Sequence, residues 1–383
     1  MTVAMYCGQI GRSPLQLVAD GFANGAVPRL AEWAGRRLVF TQNGRTAIAL
    51  AARLWEVGKN DEILVPAFNC GSEVDPLLAT GATVTMYRVS GSAQIDVGDL
   101  ISRITPRTRI ICVTHYFGWP MGLDEVAAVC AERQIKLIED CALSLFSVGV
   151  GCAGDAAIFS LAKTLPACGG GILSLRNEGD DLSDLLQGPD FRYDTRAMLS
   201  LVKKWVKGVI GPRLSIRREV QMERGCGCGP DLPDMPDKYY WKPGATLHGP
   251  SSIAIGTLVR SDVHDVVRRR RENFVRLRQS LAGVRGINML WEEPSLAEGI
   301  CPLGLPILVE DRARWCAELN ASGVVVSRWW EGYNRGLDWS EFPEARALKN
   351  RLVLLPVHQG LGSSQMDYIG DVARSLADRL RGV

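Results

Sequence analysis

Two side chains that could act together in catalysis follow neighbouring apolar runs of the sequence. Asp140 ends the segment Lys136-Leu-Ile-Glu-Asp140, and Lys163 lies 23 positions later in Phe159-Ser-Leu-Ala-Lys163-Thr-Leu-Pro. Residues that leave the carboxyl ends of parallel strands converge on one crevice, so we expect Asp140 and Lys163 to face one pocket. Taken singly, an aspartate more often caps a helix and a lysine more often lies on the surface.

These two groups are the ones that pyridoxal phosphate requires of a protein. The cofactor needs a lysine amine to form a Schiff base with its aldehyde, and a carboxylate to keep its pyridine nitrogen protonated. Two further features strengthen the hypothesis. The segment Asn43-Gly44-Arg45-Thr46 precedes a helix-forming run whose N-terminal amides could bind a phosphate dianion, and the Ser160 hydroxyl lies three residues before Lys163.

The elements that must position these residues are short apolar runs, which alternate with helix-forming segments between residues 36 and 175. This alternation is typical of a parallel sheet covered by helices. The helix-forming segments 45–57 and 124–133 contain no glycine or proline. The predicted strands are residues 62–65, 83–87, 109–114, 135–138, 156–159 and 171–175.

A second α/β unit is predicted after a segment of different character. Residues 177–245 are first acidic, then basic, then rich in proline, glycine and aspartate, which is typical of an insertion. Beyond them we expect a long helix at 262–281, strands at 305–309, 324–327 and 352–355, and helices at 312–321 and 365–381. The expected domains are 1–245, an N-terminal arm and a large cofactor-binding domain with an insertion near 180–245, and 246–383, a smaller C-terminal domain.

Charge and hydropathy argue against nucleic-acid and membrane partners. The 383 residues include 44 basic and 42 acidic ones, so no strong field attracts a polyanion. The run Arg268–Arg271 could form a nucleic-acid patch, but the near-neutral total favours the solvated side of a helix. No uncharged stretch is long enough for a membrane span, and the start of the chain lacks a basic leader followed by an apolar run. We therefore expect a cytoplasmic protein.

The eleven cysteines indicate reduced thiols rather than a disulfide framework. Most of them occur singly inside apolar runs, as Cys112 and Cys130 do, where a thiol serves as a small core residue. Cys226 and Cys228 are close enough to suggest a metal, but a second ligand pair at workable spacing is absent. We predict no metal site.

Seven segments, in their order along the chain, resemble the DegT/StrS-type sugar aminotransferases, a family within the fold-type I pyridoxal-phosphate enzymes. The resemblance covers most of residues 36–175 and returns at 354–360. It implies a large three-layer domain with a mostly parallel sheet, followed by a smaller C-terminal α/β domain. The segments are NGRTAIALAARL, DEILVPAFNC, GATVTMYRV, ITPRTRIICVTHYFG, IKLIEDCA, GDAAIFSLAKTLP with the following GGG, and LLPVHQG.

The resemblance implies roles for the residues already singled out. Lys163 is similar to the lysine that holds the cofactor and moves the substrate proton. Asp140 is similar to the partner of the pyridinium nitrogen, and attraction by that cation should lower its pKa and keep it ionised. Such enzymes transfer an amino group, usually from glutamate or glutamine, to a keto group on a nucleotide-linked sugar. The family also implies a homodimer whose two chains share each active site.

Other residues are similar to the family's cofactor contacts. Arg45, Thr46 and Ser160 match its phosphate-binding residues, and Gly44 opens that site. His115 lies where the family tends to have histidine, and it could contact cofactor or substrate or be a satisfied structural histidine.

Two positions depart from the family pattern. Leu143 occupies a position where a polar residue commonly bonds the cofactor's phenolic oxygen. Cys70 occupies the position of an aromatic residue that often covers the ring, and Phe68, on the same side of an extended strand, is an alternative. Trp329 and Trp330 follow Ser327-Arg328 where family members face substrate, but a core or interface pair is an equal alternative.

The leading hypothesis is an aminotransferase that uses pyridoxal phosphate, held by Lys163, and acts on a sugar or a similarly polar biosynthetic intermediate. A second hypothesis keeps the cofactor but changes the reaction to dehydration, epimerisation, decarboxylation or carbon–carbon bond chemistry. A third is a degenerate member of the family without catalysis.

Overall fold

The chain folds around two β-sheets that are connected by helices. The computed structural model describes residues 5–8, 10–176, 182, 185–210, 232–242, 244–292, 295–326, 329–330 and 332–381. The strands are β1 (Arg37–Thr41), β2 (Glu62–Pro66), β3 (Thr83–Tyr87), β4 (Thr108–Thr114), β5 (Lys136–Asp140), β6 (Ala156–Ser160), β7 (Gly171–Leu175), β8 (Asn288–Met289), β9 (Gly304–Leu308) and β10 (Leu352–Pro356).

Twelve helices are present in the described part of the chain. They are α1 (Pro14–Gly21), α2 (Gly44–Leu54), α3 (Asp75–Leu78), α4 (Val97–Ser102), α5 (Asp124–Glu132), α6 (Leu161–Thr164), α7 (Phe191–Ile210), α8 (Ser252–Val259), α9 (Val263–Leu281), α10 (Arg312–Ala321), α11 (Pro343–Arg351) and α12 (Ser363–Arg381). Within these ranges, no helix combines the length and the apolar character that a membrane span requires.

The larger sheet has seven strands in the order β1-β7-β6-β5-β4-β2-β3. Strands β2 to β6 pair in parallel, whereas β7 runs antiparallel to both β6 and β1. The central strands are buried on both faces, which explains why the sequence shows continuous apolar runs rather than alternation. The predicted fold class, a mostly parallel sheet in a large α/β domain, is confirmed.

The smaller sheet is antiparallel and lies in the C-terminal part of the chain, in the order β10-β9-β8. The predicted strand at 324–327 is wrong, because Val324 makes only an isolated bridge to Cys7 and β8 supplies the third strand instead. The predicted insertion contains a 20-residue helix, α7, that the charge pattern concealed. Leu201 of α7 packs with Leu17 of α1 in one buried cluster.

The run of four arginines in α9 is divided between solvent and core. Arg268 and Arg269 pair with Asp265 on the exposed side, as predicted. The expected solvation is wrong for Arg270, which is only 2% exposed and donates to backbone carbonyls instead. Neighbouring residues and residues two apart on a helix point to different sides, so one run of arginines serves both environments.

All nine described cysteines are free thiols, and seven of them are buried. Cys226 and Cys228 lie outside the described residues.

Three consecutive glycines follow the turn that carries Lys163. Their nearest neighbours are atoms of the segment before α2 and of nearby side chains. A Cβ built on Gly171 would lie 2.3 Å from the Asn43 carbonyl carbon, and one on Gly169 would lie 2.7 Å from the Gln42 oxygen. The glycines therefore allow β7 to approach the loop that begins α2.

Gly171→Ala should lower the free energy of unfolding by about 1–3 kcal/mol, because the added methyl group overlaps the Asn43 backbone. Urea denaturation measures this change. Gly58→Ala is the matched control, since a Cβ there meets nothing within 4 Å, and we expect it to stay within about 0.5 kcal/mol of the parent. Equal effects of the two substitutions would contradict the packing argument.

Candidate active site

Lys163 is carried by a single helical turn at the carboxyl end of β6. The turn, α6, contains four residues, and it is closed by one hydrogen bond from the Leu165 N–H to the Leu161 carbonyl (2.8 Å). The Lys163 side chain is exposed, and its Nζ lies 4.8 Å from the centre of the Trp329 ring. Among the described residues, no carboxylate forms an ion pair with this amine. The Trp329 ring lies within cation–π distance of it.

Lys163 opens into a cleft of about 780 Å³ between the two sheets. The cleft is large enough for a cofactor and part of a substrate. It brings Lys163 together with two other predicted residues, Ser160 and Cys70. The polar and aromatic residues of its lining include Cys70, Ser72, Ser160, Lys163, Lys204 and Trp329.

Asp140 lies at the carboxyl end of β5, next to β6 in the sheet. Its Oδ1 accepts a hydrogen bond from the Ala142 N–H (2.9 Å). Burial, followed by repulsion from Glu73, raises the pKa of Asp140 to about 7, although the Ala142 bond and attraction by Lys163 oppose the shift. The Lys163 charge acts on the Asp140 carboxyl, but Asp140 lines a separate, smaller cavity and is not among the residues that line the cleft into which Lys163 opens.

Glu73 is a second carboxylate of this region that the sequence analysis missed. It lines a small cavity of about 20 Å³ together with Asp140 and Asn69. Its Oε1 accepts from the Cys70 N–H (2.7 Å), and its Oε2 accepts from the Cys70 thiol (2.6 Å). Burial and the Glu73 charge raise the pKa of Cys70 to about 12, so the thiol stays protonated at neutral pH.

The loop that carries Cys70 and Glu73 is fixed by side chains from the C-terminal part of the chain. Each of three side chains donates to one of its backbone carbonyls. The bonds run from Lys349 to Asn69 (2.8 Å), from Trp339 to Ala67 (2.9 Å) and from Asn334 to Gly71 (3.1 Å). Lys349 is 1% exposed, and burial lowers its pKa to about 8. The loop is therefore rigidly held by residues more than 250 positions away.

The start of α2 lies beside Ser160, as the phosphate hypothesis requires. A Cβ built on Gly44 would be 3.9 Å from the Ser160 Cβ. The Thr46 N–H is already bonded to the Asn43 side chain (3.1 Å), which leaves the amides of Gly44 and Arg45 without an intrahelical acceptor. The Arg45 guanidinium donates to the Tyr239 carbonyl (2.8 Å), so Arg45 ties α2 to a residue that lines the cleft.

His115 is placed in the interior rather than in the cleft. Its Nδ1 accepts from the Met121 N–H (2.9 Å), so the neutral ring carries its proton on Nε2 and donates to Glu139 (2.8 Å). Burial alone would raise the pKa of Glu139, but hydrogen bonds from His115 and from the Gly154 and Gly151 amides lower it. Both ring nitrogens are occupied, which favours the structural interpretation of His115.

The aromatic residues considered for the cofactor ring separate into core and cleft. Phe68 is fully buried, with its ring 4.6 Å from that of Trp330 and 5.1 Å from that of Tyr116. Trp330 is thus a core residue, whereas its neighbour Trp329 faces Lys163. Leu143 is buried, with only 5% of its surface exposed. Ser327 and Arg328 lie outside the described residues.

Comparison with known proteins finds similarity to one family of enzymes. Residues 28–182 match the model of the DegT/DnrJ/EryC1/StrS aminotransferase family. A curated relative, a UDP-N-acetyl-3-dehydro-alpha-D-glucosamine 3-aminotransferase from Acidithiobacillus ferrooxidans, is 32% identical over 136 residues. That alignment covers 34% of this chain and 37% of the relative, so it spans little more than a third of either protein.

Two solved structures share the fold over nearly the whole chain. The aminotransferase TlmJ from Streptoalloteichus hindustanus has a TM-score of 0.67 at 20% identity, with 99% of this chain and 100% of that chain covered. A Streptococcus pneumoniae protein in its PLP form has a TM-score of 0.69 at 18% identity, with 99% of each chain covered. At these identities, the two likenesses establish the fold alone.

Glu73→Gln should lower the pKa of Asp140 below 7, toward its ordinary value, because the nearby negative charge disappears. The amide oxygen of glutamine can still accept from the Cys70 N–H, so the loop should keep its shape. A ¹³C-NMR titration of protein labelled at aspartate carboxyl carbons, with Asp140→Asn for assignment, measures the shift. Glu125→Gln, on the exposed side of α5, is the control and should leave Asp140 unchanged. An unaltered Asp140 titration in Glu73→Gln would disprove the coupling.

Proposed function

We propose that the protein is a pyridoxal-phosphate-dependent aminotransferase, because residues 28–182 match the model of the DegT/DnrJ/EryC1/StrS aminotransferase family. It would transfer an amino group from glutamate or glutamine to a keto group of a sugar or a similarly polar biosynthetic intermediate. The observation that carries the proposal is an exposed lysine amine, unpaired with any carboxylate of the described residues, at the strand end next to the half-buried Asp140.

The residues present fit the chemical groups of pyridoxal phosphate. The Lys163 amine suits its aldehyde, and the Asp140 carboxylate suits its ring nitrogen. The start of α2, where Gly44 lies against Ser160, suits its phosphate. When bound, the cofactor supplies an aldehyde that condenses with amines and a ring that accepts electrons.

The chain's own residues would then control protons and orientation. Lys163 Nζ takes a proton from the substrate carbon and returns it, which requires that the amine be close and uncharged for part of the cycle. Asp140 accepts the hydrogen bond of a protonated ring nitrogen, and a cation at that position favours the ionised carboxylate. The Trp329 ring lies beside the Lys163 amine and can orient it through a cation–π contact while the amine is charged.

A second candidate function keeps the cofactor but changes the outcome to dehydration, epimerisation, decarboxylation or carbon–carbon bond chemistry. The observation that favours it is the pair formed by Cys70 and Glu73, which places a protonated thiol and an added carboxylate beside Lys163 and Asp140. Each of these two groups adds a site near the cofactor ring that can donate or accept a proton. Formation of 2-oxoglutarate from glutamate, in step with an aminated sugar, would separate the first function from the second.

We further infer a homodimer, supported by an apolar surface that two neighbouring helices expose. Leu15 and Val18 of α1 and Phe22, immediately after it, are 82%, 58% and 81% exposed, and Val209 of α7 is 58% exposed. The two helices share a buried cluster on their other sides, so these side chains belong to one region of the surface. Exposed apolar patches of this kind mark protein interfaces.

Purified protein loaded with pyridoxal phosphate should show a visible absorption band that Lys163→Ala abolishes, because only a lysine amine at this position can hold the aldehyde. Lys207→Ala, an exposed lysine of α7, is the control and should keep the band. Transfer is then measured as 2-oxoglutarate formed from glutamate with nucleotide-linked keto sugars. The proposal fails if the parent protein has no band that depends on Lys163.

The double substitution Val18→Glu with Val209→Glu should convert the dimer to a monomer, since it places charges in the apolar surface of α1 and α7. Light scattering after size-exclusion chromatography gives the mass directly. Val275→Glu, on an exposed position of α9, should leave the dimer intact. A parent protein that is monomeric at micromolar concentration would refute the inference.

A further inference from the structure

The turn that carries Lys163 is too short to hold itself in place. A single helical turn is unstable on its own, because ordering its backbone costs more free energy than its one hydrogen bond contributes. The four residues of α6 have one internal bond, and the start of the turn is fixed by a bond from the Leu161 N–H to the Gly170 carbonyl (2.9 Å). The end of the turn, immediately after Lys163, needs a second attachment.

The second attachment is made by two side chains from the C-terminal part of the chain. Arg270 Nη2 donates to the Thr164 carbonyl (2.9 Å), and Gln359 Nε2 donates to the same oxygen (3.1 Å). The two donors are themselves joined, because Arg270 Nε donates to Gln359 Oε1 (2.8 Å). The residue after Lys163 is therefore held by a closed triangle of hydrogen bonds.

Arg270 is in turn fixed to the small sheet. Its Nη1 donates to the carbonyls of Pro302 (3.0 Å) and Leu303 (3.1 Å), which immediately precede β9. The guanidinium is planar and buried, so its position is set by all four acceptors together. A displacement of β9 relative to the large sheet must move Arg270, and through Thr164 it must move Lys163.

We propose that Arg270 and Gln359 are positioning residues for Lys163, which transmit the placement of the small sheet to the reactive amine. The proposal rests on the proposed function only for the identity of the aldehyde that Lys163 meets. The hydrogen-bond geometry is independent of that identity.

The neighbouring Arg271 provides a matched control within the same helix. It also donates to three backbone carbonyls, those of Ala297 (2.8 Å), Ile300 (2.8 Å) and Leu296 (3.3 Å). None of these acceptors belongs to the turn that carries Lys163. Arg271 thus has a similar anchoring role without a connection to the amine.

The test compares Arg270→Lys and Gln359→Leu with Arg271→Lys, all of which conserve charge. In cofactor-free protein, reductive methylation with formaldehyde and borohydride is followed by mass spectrometry at Lys163, with Lys207 as the internal standard. We expect the Lys163 rate to rise about threefold or more in the first two variants, because a turn released at Thr164 no longer holds the amine against the Trp329 ring, and to stay unchanged in Arg271→Lys. Melting temperatures show whether each variant is folded. Gln359 is only half-buried, so we expect Gln359→Leu to fold even if Arg270→Lys does not.

A second readout uses the loaded protein. The visible circular dichroism per unit absorbance of the Lys163-dependent band reports how rigidly the chromophore is oriented, and it should fall in Gln359→Leu but not in Arg271→Lys. A parent protein without that band would contradict the proposed function and leave the methylation test valid. Unchanged methylation at Lys163 in both Arg270→Lys and Gln359→Leu would overturn the positioning role.

Discussion

A reactive lysine must be exposed to its substrate and yet fixed in direction, and this constraint governs the site. Lys163 meets it on a single helical turn that obtains its rigidity from its surroundings. One end of the turn is bonded to Gly170, and the other is bonded to Arg270 and Gln359. The large sheet therefore supplies the location of the amine, whereas the small sheet contributes to its orientation. The cleft lies between the two sheets, and strands of both sheets contribute residues to its lining.

The charges around Lys163 are balanced by a few individual groups. Asp140 and Glu73 are close enough to repel each other, and this repulsion together with burial brings the pKa of Asp140 to about 7. Attraction by Lys163 opposes this rise of the Asp140 pKa. The Glu73 charge also keeps the Cys70 thiol protonated, and the thiol donates a hydrogen bond to Glu73. A cation bound beside Asp140 would therefore meet a carboxylate that is readily converted to its ionised form near neutral pH.

The sequence predicted the parts of the fold and site that depend on local pattern. The apolar strands with their terminal residues placed Asp140 and Lys163 at neighbouring strand ends, and glycine at the start of α2 indicated the position beside Ser160. Glu73 and Arg270 could not be found in this way, because their roles arise from contacts between distant parts of the chain. Arg270 looked like one of four solvated arginines, and only the packing of α9 against β9 shows that it is buried.

The loop that carries Cys70 and Glu73 acquires its hydrogen-bond partners from the end of the chain. Lys349 bonds Asn69 across 280 positions, and Trp339 bonds Ala67 across 272. During synthesis, the first strands of the large sheet leave the ribosome long before these partners exist. The nascent chain can form the large sheet, but the loop beside that sheet stays without these partners until residues 339–349 have emerged. The site is therefore completed later than the sheet that carries it.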